Sequence, residues 1–207
     1  MLRPRISTNL AISADGKISS SPPRPSGWTS REDHARLLEL RENADALLIG
    51  RGTLEFDRMS LTVPGKAKQP LRCIVSRSGK IDTEHPIFRA PGGDIHFLVT
   101  GESSGPVNPQ VTLHRQTLPR FLEDLAAEFQ VRQLHCEGGG QLIRALAELD
   151  AIDEFHLTLA GHTLFGGYEA GTTTGIPAEY LANSLAFEIS HFEPRAGECF
   201  LSYTRCR

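Results

Sequence analysis

Three short, almost wholly apolar runs constrain this chain most: Ala46-Leu47-Leu48-Ile49, residues 71–75 and residues 95–99. Each is too short for a helix and too continuously apolar for a strand with one wet face. Each therefore reads as a strand buried on both sides, as in a parallel sheet. Such strands need cover, and helical stripes precede and follow them in sequence. Ser30 predicts an N-cap, with Asp33 in the capping-box position ahead of Leu37, Leu38 and Leu40. Thr117-Leu118-Pro119 opens a second helix, with Leu118, Phe121, Leu122, Leu125 and Phe129 at helical spacing. A third follows Gly140, striped by Leu142, Ile143, Leu146 and Leu149.

Alternating strands are expected over residues 6–13 and 152–159, and a short one over 133–136. The C-terminus changes character. Residues 185–192 and 199–204 are both strand-like, and only Pro194-Arg195-Ala196-Gly197 marks a turn between them, which predicts an antiparallel hairpin. The expected fold class is α/β: a mostly parallel central sheet, helices on both faces and a C-terminal antiparallel hairpin. At 207 residues the chain is expected to form one domain, 1–207.

Charge and cysteine usage narrow the function. Lys plus Arg is 22 against 25 Asp plus Glu, a balance that disfavours a nucleic-acid binder and a polybasic membrane anchor. No apolar run approaches the ~18–20 residues that span a bilayer. Cys73, Cys136, Cys199 and Cys206 form no C-x-x-C pair, so neither a disulfide framework nor a metal site is expected, and the reading is a cytoplasmic protein with reduced thiols.

The chemistry points to strand ends. Glu137-Gly138-Gly139-Gly140-Gln141-Leu142 joins a strand to a helix through three glycines, where free N–H groups and the helix dipole suit an anion. The plainer alternative is a tight turn. Gly50-Arg51-Gly52-Thr53 and Ser76-Arg77-Ser78-Gly79 are read as loops of the same kind, each following a buried strand and each carrying a guanidinium that can grip phosphate. In an open parallel sheet, ligands bind where such loops gather. Asp15 and Glu137 are the carboxylates expected near a reacting centre; Asp15-Gly16 also reads as a turn, and Glu137 as a helix N-terminal carboxylate.

A family resemblance joins these segments. Asn9-Leu10-Ala11-Ile12-Ser13-Ala14-Asp15-Gly16-Lys17-Ile18, Trp28-Thr29-Ser30, Asp45-Ala46-Leu47-Leu48-Ile49-Gly50-Arg51-Gly52-Thr53, Leu61-Thr62-Val63, Glu137-Gly138-Gly139-Gly140 and Gly166-Gly167 resemble, in order and spacing, the pyrimidine reductases of riboflavin biosynthesis. These share the dihydrofolate reductase fold and form the C-terminal half of bifunctional deaminase/reductases. The resemblance implies reduction of 5-amino-6-(5-phosphoribosylamino)uracil by NADPH, with hydride passing to the ribose C1′. It implies cofactor contacts at Ala11, Trp28, Gly50, Thr53, Asp57 and Ser76, with Gly138, Gly139, Gly140, Gln141 and Leu142 at the pyrophosphate. Arg51 and Arg77 would meet the 2′-phosphate. Ser26, Arg41, Leu61 and Glu137 would meet the phosphoribosylated pyrimidine, and a homodimer is expected. The zinc-deaminase signature H-x-E … P-C-x-x-C is absent from the sequence.

Two departures stand out. Pro64 replaces the Arg that follows Leu-Thr-Val in the family, and Asp57-Arg58-Met59 replaces Asp-Asp-Pro. Arg58 and Lys66 are the nearby cations able to make up the lost charge. Two alternatives stay open. One is a reductase of this fold acting on another heterocycle, such as a pterin; the other is a nucleotide-binding protein without turnover.

Overall fold

A computed structural model describes residues 2–18, 29–102, 110–161 and 186–207. Ser26, Trp28 and the Gly166-Gly167 pair lie outside them. Nine strands and four α-helices occur among the described residues. Contacts group the chain into two compact units, Met1–Arg5 with Leu38–Glu137, and Ile6–Leu37 with Gly138–Arg207.

The first unit is the parallel half. Its strands are β2 (Ala46–Gly50), β3 (Leu71–Ser76), β4 (Ile95–Val99), β5 (Val111–Arg115) and β6 (Gln133–Cys136), in the order β5-β4-β3-β2-β6. All four pairings are parallel. Ala46, Leu47, Leu48 and Ile49 are all buried, as their unbroken apolar run requires. Leu47 and Ile49 pack with Leu54, Leu61, Ile74 and Phe97 in one core. Each such side chain contributes ~1.5–3 kcal/mol on leaving water. Helix α3 (Leu118–Ala127) starts where the sequence indicates, with Thr117 accepting from the Arg120 amide.

Register aligns the carboxyl ends of these strands. Gly50 pairs with Val75, Val75 with Leu98, and Leu48 with Cys136. The segments leaving β2, β3 and β6 therefore emerge at one edge of the sheet, carrying Arg51, Arg77 and Glu137.

The second unit holds β1 (Arg5–Ile12), β7 (Glu154–Leu159), β8 (Phe187–Arg195) and β9 (Glu198–Arg205), ordered β1-β7-β9-β8. β1 and β7 are parallel; β9 runs antiparallel to both β7 and β8. The hairpin turn is tighter than the sequence suggests: Pro194 and Arg195 belong to β8, and only Ala196 and Gly197, both at positive φ, connect it to β9. Pro194 is tolerated because β8 is an edge strand.

Helix α1 (Arg31–Glu42) is fastened at its start by polar groups of this unit. The Ser30 amide and hydroxyl both donate to the buried Glu198 carboxylate, and Ser30 Oγ in turn accepts from the Asp33 amide at 3.1 Å. Thr158 Oγ1 donates to Asp33 at 2.6 Å. Arg36 reaches the Leu157 and Leu201 carbonyls and lies over the Phe200 ring.

Two elements differ from the sequence reading. Gly50-Arg51-Gly52-Thr53 is not an open loop, because α2 (Arg51–Asp57) begins at once after β2. Leu54 is fully buried, and that docking outweighs the poor helix propensity of Gly52. Strand β5 was not anticipated.

Candidate functional site

The site grows from the end of β6. The Glu137 amide donates to Leu48 O at 2.9 Å, extending the β2–β6 ladder one residue past the strand. Gly138 and Gly139 then take φ of +89° and +48°, and the chain turns into α4 (Gly140–Glu148). A Cβ on Gly138 would meet Leu10 and Ile143 at 3.5 Å, an ordinary contact, so the backbone angle and not space requires glycine there. The amides of Leu142 and Ile143 both reach Gly139 O. Gly139, as N-cap, offers no side chain to the first turn, so the positive pole of α4 is left without a side-chain acceptor.

Glu137 itself is buried. Arg41, in the last turn of α1, donates from Nε to one carboxylate oxygen and from Nη2 to the other, each at 2.6 Å. Side-chain exposure is 10% for Arg41 and 3% for Glu137, so the pair is shielded from water. As an ion pair, the Glu137 carboxylate presents acceptor lone pairs only. Arg41 Nη2 also lies 3.8 Å from Met59 Sδ.

The segment after α2 belongs to this same unit. Arg58 ends the helix in a left-handed conformation and is exposed. Leu61, fully buried, has φ of +56°, costly for a leucine and upheld by its surroundings. Those surroundings are polar braces. Gln69 accepts from the Val63 amide at 2.9 Å and donates to Val63 O and Lys66 O, each at 2.7 Å. Thr62 Oγ1 donates to Pro91 O. Arg72, buried in β3, donates to Gly93 O at 2.7 Å and Ile87 O at 2.8 Å, with longer bonds to Ala90 O and Ser60 O. Burial pushes its guanidinium below the ordinary range, opposed by the Asp94 charge. Lys66 Nζ donates to Glu42 O, the last carbonyl of α1, and, at 2.9 Å, to Ala44 O just beyond the helix. Lys66 is therefore engaged as a helix C-terminal donor, while Arg58 has no partner among the described residues.

At the ends of β2 and β3 the two arginines differ. Arg51 forms an i,i+4 pair with Glu55 at 2.5 Å. Arg77 is exposed and has no partner among the described residues. Ser76 is buried and accepts the Gly79 amide at 3.2 Å, closing the turn that presents Arg77. Thr53 and Asp57 are half-buried on α2.

In the second unit, Ala11 lies in β1 opposite Thr158. Asp15 accepts from Ser13 Oγ at 2.5 Å, and Ser13 N and O both bond within the same turn, with Gly16 at φ +81°. That geometry gives Asp15 a turn-forming role. Sequence reasoning singled out Arg41 and Glu137 but not their pairing, and it missed Gln69 and Arg72. An arginine inside an otherwise apolar run was the visible signal for the last. Among the described residues, no group of three His, Cys, Asp or Glu side chains is placed to hold a metal ion.

Fold and strand-end loops define an α/β protein of the dihydrofolate reductase type. Dihydrofolate reductase from Enterococcus faecalis superposes with a TM-score of 0.59 at 15% identity, covering 98% of this chain and 97% of that one. More specifically, the chain belongs to the RibD C-terminal domain family, whose model matches residues 4–192. RibD of Acinetobacter baumannii superposes with a TM-score of 0.84 at 21% identity, over 99% of this chain and 58% of that longer one. The 2,5-diamino-6-ribosylamino-4(3H)-pyrimidinone 5′-phosphate reductase of Archaeoglobus fulgidus is 28% identical over 193 residues, 83% of this chain and 86% of that protein.

Proposed function

We propose that this chain, as a single reductase domain over residues 1–207, reduces a phosphoribosylated aminopyrimidine with NADPH in riboflavin biosynthesis. The observation that carries this reading is the turn after Glu137: two positive-φ glycines deliver the chain into a helix start without a side-chain cap. That turn suits a pyrophosphate, with the amides of Gly138, Gly139, Gly140, Gln141 and Leu142 around it. The family resemblance assigns further cofactor contacts to Gly50, Thr53 and Asp57 in the first unit, to Ala11 in the second, and to Trp28. Arg77, with Ser76 shaping its turn, is the better placed of the two arginines for a 2′-phosphate, since Glu55 already holds Arg51.

NADPH, when bound, supplies a hydride from its nicotinamide C4. The protein's part is orientation of the reactants. Overall, the ribose C1′ gains a hydride, the C1′–O4′ bond breaks and O4′ gains a proton. Glu137, held by Arg41, acts as a fixed acceptor toward an N–H of the pyrimidine. Leu61 forms the apolar wall, and Ser26 is assigned to the substrate as well. The proton at O4′ is assigned to solvent, because Asp15 is tied into its turn and Glu137 is paired.

The pyrimidine itself has two readings. The resemblance in the sequence implies the uracil form. The Archaeoglobus relative, matched over most of both chains, is named for the 2,5-diamino form. The two differ at C2, oxo against amino. Each is to be offered with NADPH, following loss of NADPH absorbance and a product heavier by two hydrogens. Turnover of either supports the reductase; the faster one fixes the order of reduction and deamination. Cofactor binding, seen as a change in Trp28 fluorescence, with no turnover of either would leave another heterocycle or a nucleotide-binding protein without turnover.

We place the protein in the cytoplasm, consistent with four cysteines that form no disulfide, and as a homodimer. Ile189 and Phe192, exposed on the edge strand β8, are apolar groups that a second copy would cover. No helix among the described residues is long and apolar enough to cross a membrane.

A further inference from the structure

Residues 59–66 touch the last turn of α1 at both ends. Met59 Sδ meets Arg41 Nη2 at one end, and Lys66 Nζ bonds Glu42 O and Ala44 O at the other. Between these points lies the buried, positive-φ Leu61, and Arg41 holds Glu137 through Nε and that same Nη2. We infer that Lys66 is a positioning residue for the substrate: it straps the 59–66 segment to α1, so that the Leu61 wall and the Arg41–Glu137 pair keep one fixed spacing.

The chemistry favours this over a direct ligand role. A lysine ammonium has three donors, and two already meet carbonyls, one at the negative pole of α1 and one just past it. Gln69 holds the Lys66 backbone from beneath, through Lys66 O, so the strap is rigid where the lysine leaves it. Pro64, with its fixed φ, stiffens the segment between wall and strap. A small displacement of a positioning group costs substrate binding even when the reacting atoms are untouched.

The inference rests on the reductase reading, and the test separates the two. Lys66→Met keeps the apolar stem and removes the donors; Lys66→Arg keeps a cation and restores donors. With the wild-type enzyme and the better pyrimidine, Lys66→Met should raise KM for the pyrimidine about tenfold, with kcat and the KM for NADPH nearly unchanged, and Lys66→Arg should recover most of the loss. A KM rise that vanishes on the dephosphorylated substrate would place Lys66 on the phosphate and overturn the inference. So would parallel losses in every parameter.

Hydrogen exchange without substrate gives a second reading. Lys66→Met should speed exchange in residues 38–44 as well as in 59–66. Faster exchange in 59–66 alone, or none, overturns the strap. If the wild-type protein turns over neither pyrimidine, the reductase reading fails, and exchange still decides the strap.

Discussion

Arg41 and Glu137 stand 96 residues apart in sequence and meet as a doubly hydrogen-bonded pair, both contacts 2.6 Å, at the point where β6 gives way to the glycine turn. Charges buried this deeply are stable only together. Removing either partner leaves the other without compensation. Arg41→Met or Glu137→Leu alone should lower stability by ~3–5 kcal/mol, while the double variant should recover most of that loss. Urea unfolding of the three variants measures it. Additive losses would mean that the two side chains do not act as a unit.

The parallel half carries a second polar pair. His96 Nδ1 and His114 Nε2 are 3.0 Å apart, with the Phe129 ring edge-on to His96 and Phe121 beside His114. Burial and the neighbouring His114 push His96 down to about 4, against the pull of Asp94; burial lowers His114 too, opposed by Asp124 and Glu128. A histidine lowered in the folded state favours folding while neutral. Its contribution is complete above the unfolded value near 6.5 and is lost as pH falls toward 4. Thermal midpoints should therefore drop between pH 6.5 and 4, and His96→Phe should flatten that part of the curve.

Cofactor selectivity should rest on Arg77. Arg77→Ala should weaken NADPH binding roughly tenfold or more and leave NADH binding nearly unchanged, as expected for loss of a charge-assisted contact to phosphate. Arg51→Ala should cost less, since Glu55 already engages that guanidinium. Titration of each cofactor against tryptophan fluorescence distinguishes the two. Equal losses for NADPH and NADH would place Arg77 away from the 2′-phosphate.

Thr8 in β1 is fully buried, and its hydroxyl has no hydrogen-bond partner among the described residues. A buried hydroxyl without a partner is a cost that an isosteric methyl avoids. Thr8→Val should stabilise the protein by about 1 kcal/mol in chemical unfolding, with turnover unaltered. A loss of stability would reveal a bond to that hydroxyl.

Strands β2, β3 and β4 were legible because burial on both faces leaves a nearly unbroken apolar run, as Leu47, Leu48 and Ile49 show. Thr117 and Ser30 were legible because a cap acts within three residues. Helix α2 was hidden because seven residues beginning Arg-Gly-Thr carry little local preference, and tertiary docking of Leu54 decides. Strand β5 was hidden because it lies at the sheet margin, where half-exposed Val111 and Leu113 leave no strong pattern. The site was legible as a set of residues, not as an arrangement. Nothing local says that Lys66 will turn to α1 or that Arg41 will find Glu137, since both contacts depend on the completed fold.

Arg72 carries a lesson about which changes this chain can accumulate. A Cβ on Gly92 would fall 2.7 Å from Arg72 Cζ, and that guanidinium cannot step aside without releasing the carbonyls it gathers. The two positions are therefore epistatic. In a library that randomises Gly92 alone, glycine should be the survivor; in a background where residue 72 has been shortened, the same position should open to small side chains. A drifting lineage would have to cross that pair in one order, arginine first.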